Sequence, residues 1–179
     1  MRQLLRALIG LAIILGLAAG GLYYYVQPAE PLDLNFSAIS LRDELNHIMA
    51  NRRLQVELSE REVDSLLKMA LVTYPPQQKD IEITGARFRI LNDHMIADAN
   101  LLYRERWEIG ATLHFTLDWK DPYLIATHTG TNIKQLQVPP GWFQLEPIRF
   151  APNEHLPMPL AVRNIQFLER RVLVDLKVR

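Results

Sequence analysis

The sequence predicts an α+β protein in which an N-terminal transmembrane helix is followed by two short helices packed on a long antiparallel meander β-sheet. Three observations predict this fold class. Residues 7–26 form an uncharged run, apolar residues recur at helical spacing as far as Leu71, and apolar and polar residues alternate from Ile81 onward. Helices that precede a run of antiparallel strands are typical of α+β domains.

The uncharged run from Ala7 to Val26 is long enough to span a membrane. A helix rises about 1.5 Å per residue, so a run of this length covers roughly 30 Å, the thickness of the hydrocarbon core of a bilayer. Arg2 and Arg6 precede the run, and Tyr23-Tyr24-Tyr25 stand where an interfacial aromatic belt is expected. The positive-inside rule therefore predicts a single-pass protein of the cell membrane, with residues 1–6 cytoplasmic and an α+β domain of residues 36–179 that is extracytoplasmic.

Two other interpretations of this run stay open. A cleaved signal peptide would also have a basic start and an apolar stretch, and Gly16 to Ala18 or Ala18 to Gly20 would serve as a cleavage site. Retention is favoured, because the apolar stretch of a signal peptide is typically about 7 to 15 residues and this run continues to Val26. A buried core helix is disfavoured, because no polar face interrupts the run.

The composition of residues 27–179 excludes several classes of function. Arg2 and Arg6 are two of the chain's 20 basic residues, so this part carries 18 basic against 20 acidic side chains, a formal charge of −2. That balance argues against a nucleic-acid partner, which would require a basic face. The chain has no cysteine, hence no disulfide or thiol nucleophile, and it contains no G-x-S-x-G, H-E-x-x-H or Walker motif. A non-enzymatic protein without a cofactor is predicted.

A spacer, two helices and a short strand are predicted after the anchor. Residues 27–35 contain two prolines and are predicted to be a short stiff spacer. Apolar residues at helical spacing predict a first helix over 41–49. Residues 54–58 alternate as a strand, and then Ser59 and Glu62 form the S-x-x-E capping box of a second helix. The apolar stripe of that helix consists of Val63, Leu66, Leu67, Ala70 and Leu71.

The alternating segments that begin at Ile81 predict a meander. A two-residue turn at Asn92-Asp93 sets its first register, and a β-bulge is expected near Thr84-Gly85, where the apolar parity shifts. The pairs expected to face one another across this hairpin are Leu91 and His94, Ile90 and Met95, Phe88 and Ala97, Arg87 and Asp98, and Ala86 and Ala99.

The rest of the sheet is predicted from two further connections and a C-terminal hairpin. Three-residue connections at 104–106 and 120–122 would pair Tyr103 with Trp107, Trp119 with Tyr123, and Glu108 with Lys134. Two last strands, Leu160 to Leu168 and Val172 to Val178, flank a turn at 169–171 and are expected to extend the same sheet. The residues expected to point inward from the final strand are Val172, Val174, Leu176 and Val178.

A proline-rich segment at 139–159 holds the candidate ligand-binding residues. Six of the chain's 11 prolines lie in it, so regular strand pairing is not expected there. Its aromatic residues would close one end of the core, or else form a lid over a groove or a docking surface for a partner. The residues predicted to bind an apolar ligand or to act as the lid are Trp142, Phe143, Phe150, Leu67 and Leu71.

Two groups of polar residues offer weaker candidates. The predicted register places His114 opposite His128 with His94 diagonally near, and three imidazoles on adjacent strands would suit zinc or copper. Because rows of polar residues on a solvated sheet face are common, no metal site is predicted. The other group, Arg87, Arg89, Arg104 and Arg106 beside Trp107, would touch lipid headgroups, but an ordinary solvated face is favoured.

The order of these parts resembles a known family. A single N-terminal anchor, the segment from Val56 to Leu67, a sheet meander and the segment from Ile133 to Pro139 are similar to the YpmS-like family of bacterial single-pass membrane proteins. The resemblance implies a membrane-anchored extracytoplasmic protein and supplies no catalytic residues. A helix laid along a long curved antiparallel sheet also looks like the tubular lipid-binding folds, an analogy of fold alone.

The function predicted from sequence is that of a non-enzymatic envelope protein that binds lipid or another apolar ligand between helix and sheet. The alternative is a scaffold or accessory subunit of an envelope protein complex, with a protein partner at an exposed apolar patch around Trp142 and Phe143. A metal-dependent hydrolase that uses His94, His114 and His128 is the third hypothesis.

Overall fold

The computed structural model describes residues 2–37, 54–75, 80–141, 143–154 and 156–178, with side chains from residue 10 onward. This part of the chain is mostly antiparallel β-sheet with two helices, which confirms the predicted α+β class; the helices are the N-terminal one and one of the two short helices predicted to follow it. The helix predicted over 41–49 lies outside the described residues, so it stays a prediction.

Two helices and nine strands occur in the described ranges. In chain order they are α1 (Arg2–Val26), β1 (Gln55–Ser59), α2 (Glu60–Thr73), β2 (Ile81–Leu91), β3 (His94–Tyr103), β4 (Trp107–Lys120), β5 (Tyr123–Ile133), β6 (Leu136–Val138), β7 (Ile148–Phe150), β8 (Leu160–Leu168) and β9 (Arg171–Val178). A 3₁₀ turn over Pro152–Glu154 precedes β8. The proline-rich segment therefore contributes only one three-residue strand, β7.

The predicted capping box starts α2. The Ser59 backbone N–H donates to a Glu62 carboxylate oxygen at 2.8 Å, and the Ser59 hydroxyl donates to the same oxygen at 2.6 Å. The backbone N–H and the hydroxyl of Ser59 therefore both have an acceptor, and the Glu62 carboxylate lies at the positive, N-terminal end of the helix dipole. The box fixes the point at which β1 turns into α2.

The strands form two sheets, so the prediction of one long sheet is wrong. β2, β3, β4 and β5 are a meander, and β5 also pairs with β6 and with β7 along its outer edge. β8 and β9 form a hairpin that pairs with β1 in a separate three-stranded sheet, ordered β1-β9-β8. The alternation of apolar and polar residues identifies the buried face of a strand but not the strand beside it. Here β9 pairs with β1, whereas the prediction placed β9 in the same sheet as the meander.

The first hairpin of the meander has the predicted register. Leu91 lies opposite His94 across the Asn92-Asp93 turn, and Arg87 lies opposite Asp98. Asn92 has a positive φ of 55°, a backbone conformation that asparagine tolerates better than most residues. The expected bulge is present as a register shift between Ile83 and Gly85. The Tyr103–Trp107 pair in the next hairpin is confirmed as well.

The predicted register between β4 and β5 is wrong. Only Asp121 and Pro122 form the turn, so Lys120 faces Tyr123 and Trp119 faces Leu124. Because side chains alternate with a period of two, a slip of one residue reverses the faces of β5. A bulge between His114 and Phe115 then restores the parity. The expected Glu108–Lys134 pair does not form either, since the pairing of β4 with β5 ends at Thr112 and Asn132, and Lys134 lies in the turn after β5.

The last hairpin differs from the prediction at its two ends. β9 begins at Arg171, so the turn has two residues rather than three. Val172 and Leu176 are buried and Val174 is half-buried, as expected, but Val178 is 61% exposed because the strand ends there.

Two apolar clusters form the core. The larger one lies between the meander and α2, and its buried members are Ala86, Phe88, Met95, Ala97, Phe115 and Leu117, with Leu67, Leu71 and Leu34 packed against them. The smaller one belongs to the three-stranded sheet, and its buried members are Val56, Leu160, Val162 and Leu176. Phe167 on β8 packs against the larger cluster and so joins the two sheets.

The outer edge of β2 is covered by acceptors rather than by another strand. Three alternate N–H groups point away from β3: Ala86 donates to the Asp33 carbonyl at 3.1 Å, Phe88 to Asp64 Oδ1 at 2.7 Å, and Ile90 to Glu60 Oε1 at 3.3 Å. The two carboxylates come from the first turns of α2. An exposed row of unpaired N–H groups would invite pairing with another chain, and these contacts prevent it.

Candidate functional site

The segment between α1 and the described part of the fold crosses the meander. Pro28 lies over Gly110 on β4, the Glu30 carbonyl accepts from Asn100 on β3, and Leu32 lies over Gly85 on β2. Gly110, Asn100 and Gly85 are neighbours in one row of the sheet. Residues 28–34, called the strap below, therefore run across three strands, on the face opposite the core.

The two glycines of this row are required by the close approach of the strap. A Cβ on Gly110 would lie 2.7 Å from Pro28 Cα, and a Cβ on Gly85 would overlap the Leu32 backbone. A glycine inside a strand often marks such a close backbone approach. At the centre of the row, Asn100 is only 8% exposed, and its side-chain amide donates to the Glu30 carbonyl at 2.9 Å.

The strap then wraps around the edge of β2. The Asp33 carbonyl accepts from Ala86, and Leu34 packs against the larger core cluster on the other face. Two ion pairs accompany the strap: the exposed pair of Glu30 with Arg87 at 3.0 Å, and Asp33 with the largely buried Lys68 at 3.7 Å. Residues 27–35, predicted as a spacer, are thus packed on the fold through most of their length, and α1 is attached to the sheet directly.

The strap brings the end of α1 to one end of the meander. The Tyr23 ring meets the Trp107 ring edge to face, with centroids 5.1 Å apart and an interplanar angle of 81°. Trp107 is the first residue of β4 and is 42% exposed. Such edge-to-face pairs contribute about 0.5–1.5 kcal/mol beyond the area they bury.

Two cations lie beside these rings. The Lys134 ammonium, in the turn between β5 and β6, is 5.3 Å from the Tyr25 ring centroid and 6.0 Å from that of Tyr24. The Arg106 guanidinium, in the turn before β4, is 6.0 Å from the Trp107 ring centroid. Together these residues form a ring of aromatic and cationic side chains around the end of α1, called the collar below: Tyr23, Tyr24, Tyr25, Trp107, Arg106 and Lys134.

An open hollow of about 370 Å³ lies between α1 and the sheet within the collar. It is lined by Ala19, Gly20, Tyr23, Arg106 and Trp107. On its helix side the hollow is open, since a Cβ on Gly20 would have no atom within 4 Å.

The rest of α1 makes few contacts with the fold. Its side chains are described from Gly10 to Val26, and the large apolar ones point outward, with Leu11 at 53%, Ile14 at 64% and Leu17 at 73% exposure. Among the residues that the structure describes, no helix combines the length and the apolarity that a membrane span needs.

The structure separates the residues predicted as a ligand site or lid. Leu67 and Leu71 pack against the larger core cluster beneath α2. Phe150 lies on β7, which pairs with β5 at the opposite edge of the meander, and is 45% exposed. Phe143 is half-buried and meets the His128 ring edge to face at 5.8 Å. Trp142 lies outside the described residues. A ligand-binding role for these residues stays a prediction.

The three histidines do not converge. His114 lies opposite Gly130 rather than His128, because of the slip and the bulge in β4 and β5. His128 faces the core instead, opposite Phe115, while His94 is exposed and lies 2.7 Å from Asp93. No group of three metal-ligating side chains occurs in the described ranges.

His128 anchors the proline-rich segment to the core. It is 7% exposed, its Nε2 lies 2.8 Å from the Thr131 hydroxyl, and its Nδ1 accepts from the Leu145 N–H at 3.3 Å. An acceptor at Nδ1 requires the tautomer with the proton on Nε2, which then donates to Thr131. The Phe115 and Phe143 rings flank the imidazole. This arrangement holds a loop in place and is a structural role.

A second open hollow, of about 530 Å³, lies beside the first turns of α2. Its lining includes Phe36, Ser37, Arg61 and Arg89.

The collar could be found in the sequence only in part. The tyrosines of α1 and the Arg106-Trp107 pair are visible as an aromatic belt and a basic stretch, but nothing in the sequence joins them. The missing signal is the pair of strand glycines, Gly85 and Gly110, which mark where the strap crosses and hence where α1 must end.

Comparison with protein-family models, with curated proteins and with solved structures finds no match for this chain. The resemblance to the YpmS-like family accordingly stays a prediction.

Proposed function

We propose that this chain is a single-pass membrane protein of the cell envelope, non-enzymatic, whose extracytoplasmic domain rests on the outer leaflet by its collar and binds lipid there. The collar is the observation that carries the proposal. Where a protein meets lipid headgroups, tyrosine and tryptophan are commonly found beside arginine and lysine. The uncharged run from Ala7 to Val26 supplies the membrane span in this proposal.

The strap supports the proposal, because it ties the orientation of the sheet to that of α1. A flexible tether would leave the domain free to turn, but here the chain is in contact with the sheet from Pro28 onward. If α1 crosses the bilayer, the ends of the strands that carry Arg106, Trp107 and Lys134 face the membrane. We place the bound lipid at the collar rather than between α2 and the sheet, because Leu67 and Leu71 already pack against core residues.

The likeness to tubular lipid-binding folds agrees with this proposal but is not independent support for it. α2 packs along one edge of a meander, as that analogy requires, but fold alone does not determine function.

The absence of cysteine makes the topology easy to test. The Gln3→Cys and Glu146→Cys variants each carry a single thiol, and a membrane-impermeant maleimide applied to intact spheroplasts should label E146C but label Q3C only after permeabilisation. The protein should also stay in the pellet after carbonate extraction. Labelling of both variants in intact spheroplasts, or release by carbonate, would contradict the proposal.

A role as an accessory subunit of an envelope complex is the second proposal, favoured by the edge formed at β7. All three residues of β7 are exposed, with Ile148 at 53%, and Tyr123 nearby on β5 is 44% exposed. A photo-crosslinking residue at position 148 should then capture one defined protein in cells. The same residue at position 146, just outside the strand, should capture much less, and equal, diffuse crosslinking at both positions would contradict this role.

A further inference from the structure

We propose that the hollow beside Gly20 is a binding site for one phospholipid, whose phosphate is held by Arg106 and whose acyl chain lies against Ala19 and Gly20. This inference rests on the proposed function, because it takes the ligand from the membrane in which α1 would lie.

The lining of the hollow combines one cationic side chain with aromatic and small apolar residues. Arg106 is its cation, Tyr23 and Trp107 are its ring walls, and Ala19 and Gly20 form its floor on the helix. A volume of about 370 Å³ lies within the range of small-molecule sites, roughly 300–1,000 Å³. The space is open rather than enclosed, which suits a ligand that enters sideways from a bilayer and leaves its second chain outside.

Arg106 is available for an anion. Its neighbour Arg104 lies 3.7 Å from Asp80, but no ion pair joins Arg106 to a carboxylate among the residues that the structure describes. A guanidinium presents two parallel N–H groups to a phosphate, with a geometry that an ammonium lacks. Arg106 is exposed, so an incoming phosphate can reach its guanidinium, which lies 6.0 Å from the Trp107 ring centroid.

The order of these groups along α1 matches the order of groups in a phospholipid. Ala19 and Gly20 lie three to four residues before Tyr23, so they stand about 5 Å further from the sheet along the helix axis. In the proposed topology that direction leads into the bilayer. The phosphate would therefore meet Arg106 at the interface while the first methylenes of the chain pack on the small residues below it.

Charge complementarity selects a phosphate-bearing lipid over an uncharged apolar ligand. Arg106 is exposed, and a neutral apolar molecule in the hollow would displace water from the guanidinium without giving it a counterion, which is unfavourable. A phosphodiester offers Arg106 the oxygens that it lacks, so the ligand class is phospholipid.

The test uses full-length protein purified in mild detergent, with phosphatidylglycerol titrated into it and bound lipid counted by native mass spectrometry. Wild type should retain one phospholipid. Arg106→Ala should weaken its binding by about tenfold or more, as expected for loss of a charge-assisted pair. Gly20→Leu, which fills the hollow, should weaken binding to a similar extent.

Two variants serve as matched controls. Arg104→Ala removes the neighbouring arginine, and Gly21→Leu adds the same side chain to a face of the same helix about 100° away from Gly20, where a Cβ would also meet no atom within 4 Å. Both should bind lipid as wild type does. A conservative Arg106→Lys variant, which keeps the charge but loses the two parallel N–H groups of the guanidinium, should bind phospholipid with intermediate affinity.

Soluble probes separate a lipid site from a site for free anions. Inorganic phosphate and glycerol phosphate at millimolar concentration should leave the bound phospholipid in place. Displacement by either one would overturn the lipid assignment, as would equal binding by wild type, R106A and G20L. Carbonate extraction separates failure of the phospholipid site from failure of the proposed function. If R106A and G20L stay in the membrane but bind lipid as wild type does, only the phospholipid site is overturned. If wild type is released from the membrane, the proposed function is overturned as well.

Discussion

Pro28 crosses directly over Gly110, so closely that a Cβ on the glycine would lie 2.7 Å from Pro28 Cα. This contact is the first of three by which the strap crosses β4, β3 and β2, and it fixes the end of α1 beside Trp107. It turns a chain segment that looks like a linker into a rigid connection between an apolar helix and a sheet.

Replacing Gly110 with alanine should displace the strap. The added methyl group must push Pro28 outward, which we expect to lower the free energy of unfolding by about 1–3 kcal/mol, as overpacking does elsewhere. Hydrogen exchange should speed up at Asn100 and Ala86, where the strap covers the strands. Gly130→Ala on β5 is the matched control, because a Cβ there meets nothing within 4 Å. Equal stability of the two variants would contradict the account of the strap.

Removing the Asp64 carboxylate should expose the edge of β2. Asp64→Ala leaves the Phe88 N–H without its acceptor at 2.7 Å and removes the nearer of the two carboxylates that pair with Lys68, at 3.1 Å. We expect a loss of about 1–3 kcal/mol of unfolding free energy, because both groups are partly buried. Urea denaturation measures it, with the exposed turn residue Glu169 changed to alanine for comparison. If D64A and E169A lose the same amount, the carboxylate does not protect the edge.

The His128 ring should be needed to hold the loop that contains Leu145. His128→Phe keeps the aromatic contacts with Phe115 and Phe143 but removes both hydrogen bonds of the imidazole. The Leu145 amide should then exchange with solvent markedly faster, and the free energy of unfolding should fall by about 1–3 kcal/mol, since the Thr131 hydroxyl is left buried without its partner. His114→Phe, on the outer face of β4, should leave the Leu145 amide unchanged, and a similar acceleration in both variants would contradict this role.

Local signals in the sequence identify elements well and partners poorly. The Ser59–Glu62 box and the Asn92-Asp93 turn each depend on a few adjacent residues, and both are confirmed. The turn before Tyr123 is different, because two-residue and three-residue connections leave equally good alternation on both strands. The bulge between His114 and Phe115 reverses the one-residue slip in the pairing of β4 with β5. The alternation of apolar and polar residues therefore shows no mismatch that would reveal the wrong register. The proposed histidine cluster depended entirely on that register.

The strap shows the same limit at longer range. Gly85 and Gly110 are 25 positions apart, and only the register of three strands places them in one row. Once that row is known, two glycines on either side of Asn100 predict that another chain segment lies against the sheet. The pairing of β1 with β9 joins residues about 120 positions apart, and hydrophobic pattern carries no information on such a pairing.

The central claim is that the collar end of the meander lies at the membrane, and tryptophan quenching by lipid tests it most directly. Trp107 and Trp119 are near opposite ends of β4, about 40 Å apart at roughly 3.3 Å per residue. The measurement compares two full-length variants in vesicles whose lipids are brominated near the headgroup. One variant, W119F/W142F, keeps Trp107, and the other, W107F/W142F, keeps Trp119. We predict strong quenching of Trp107 and almost none of Trp119, and equal quenching of the two, or none of either, would contradict the account.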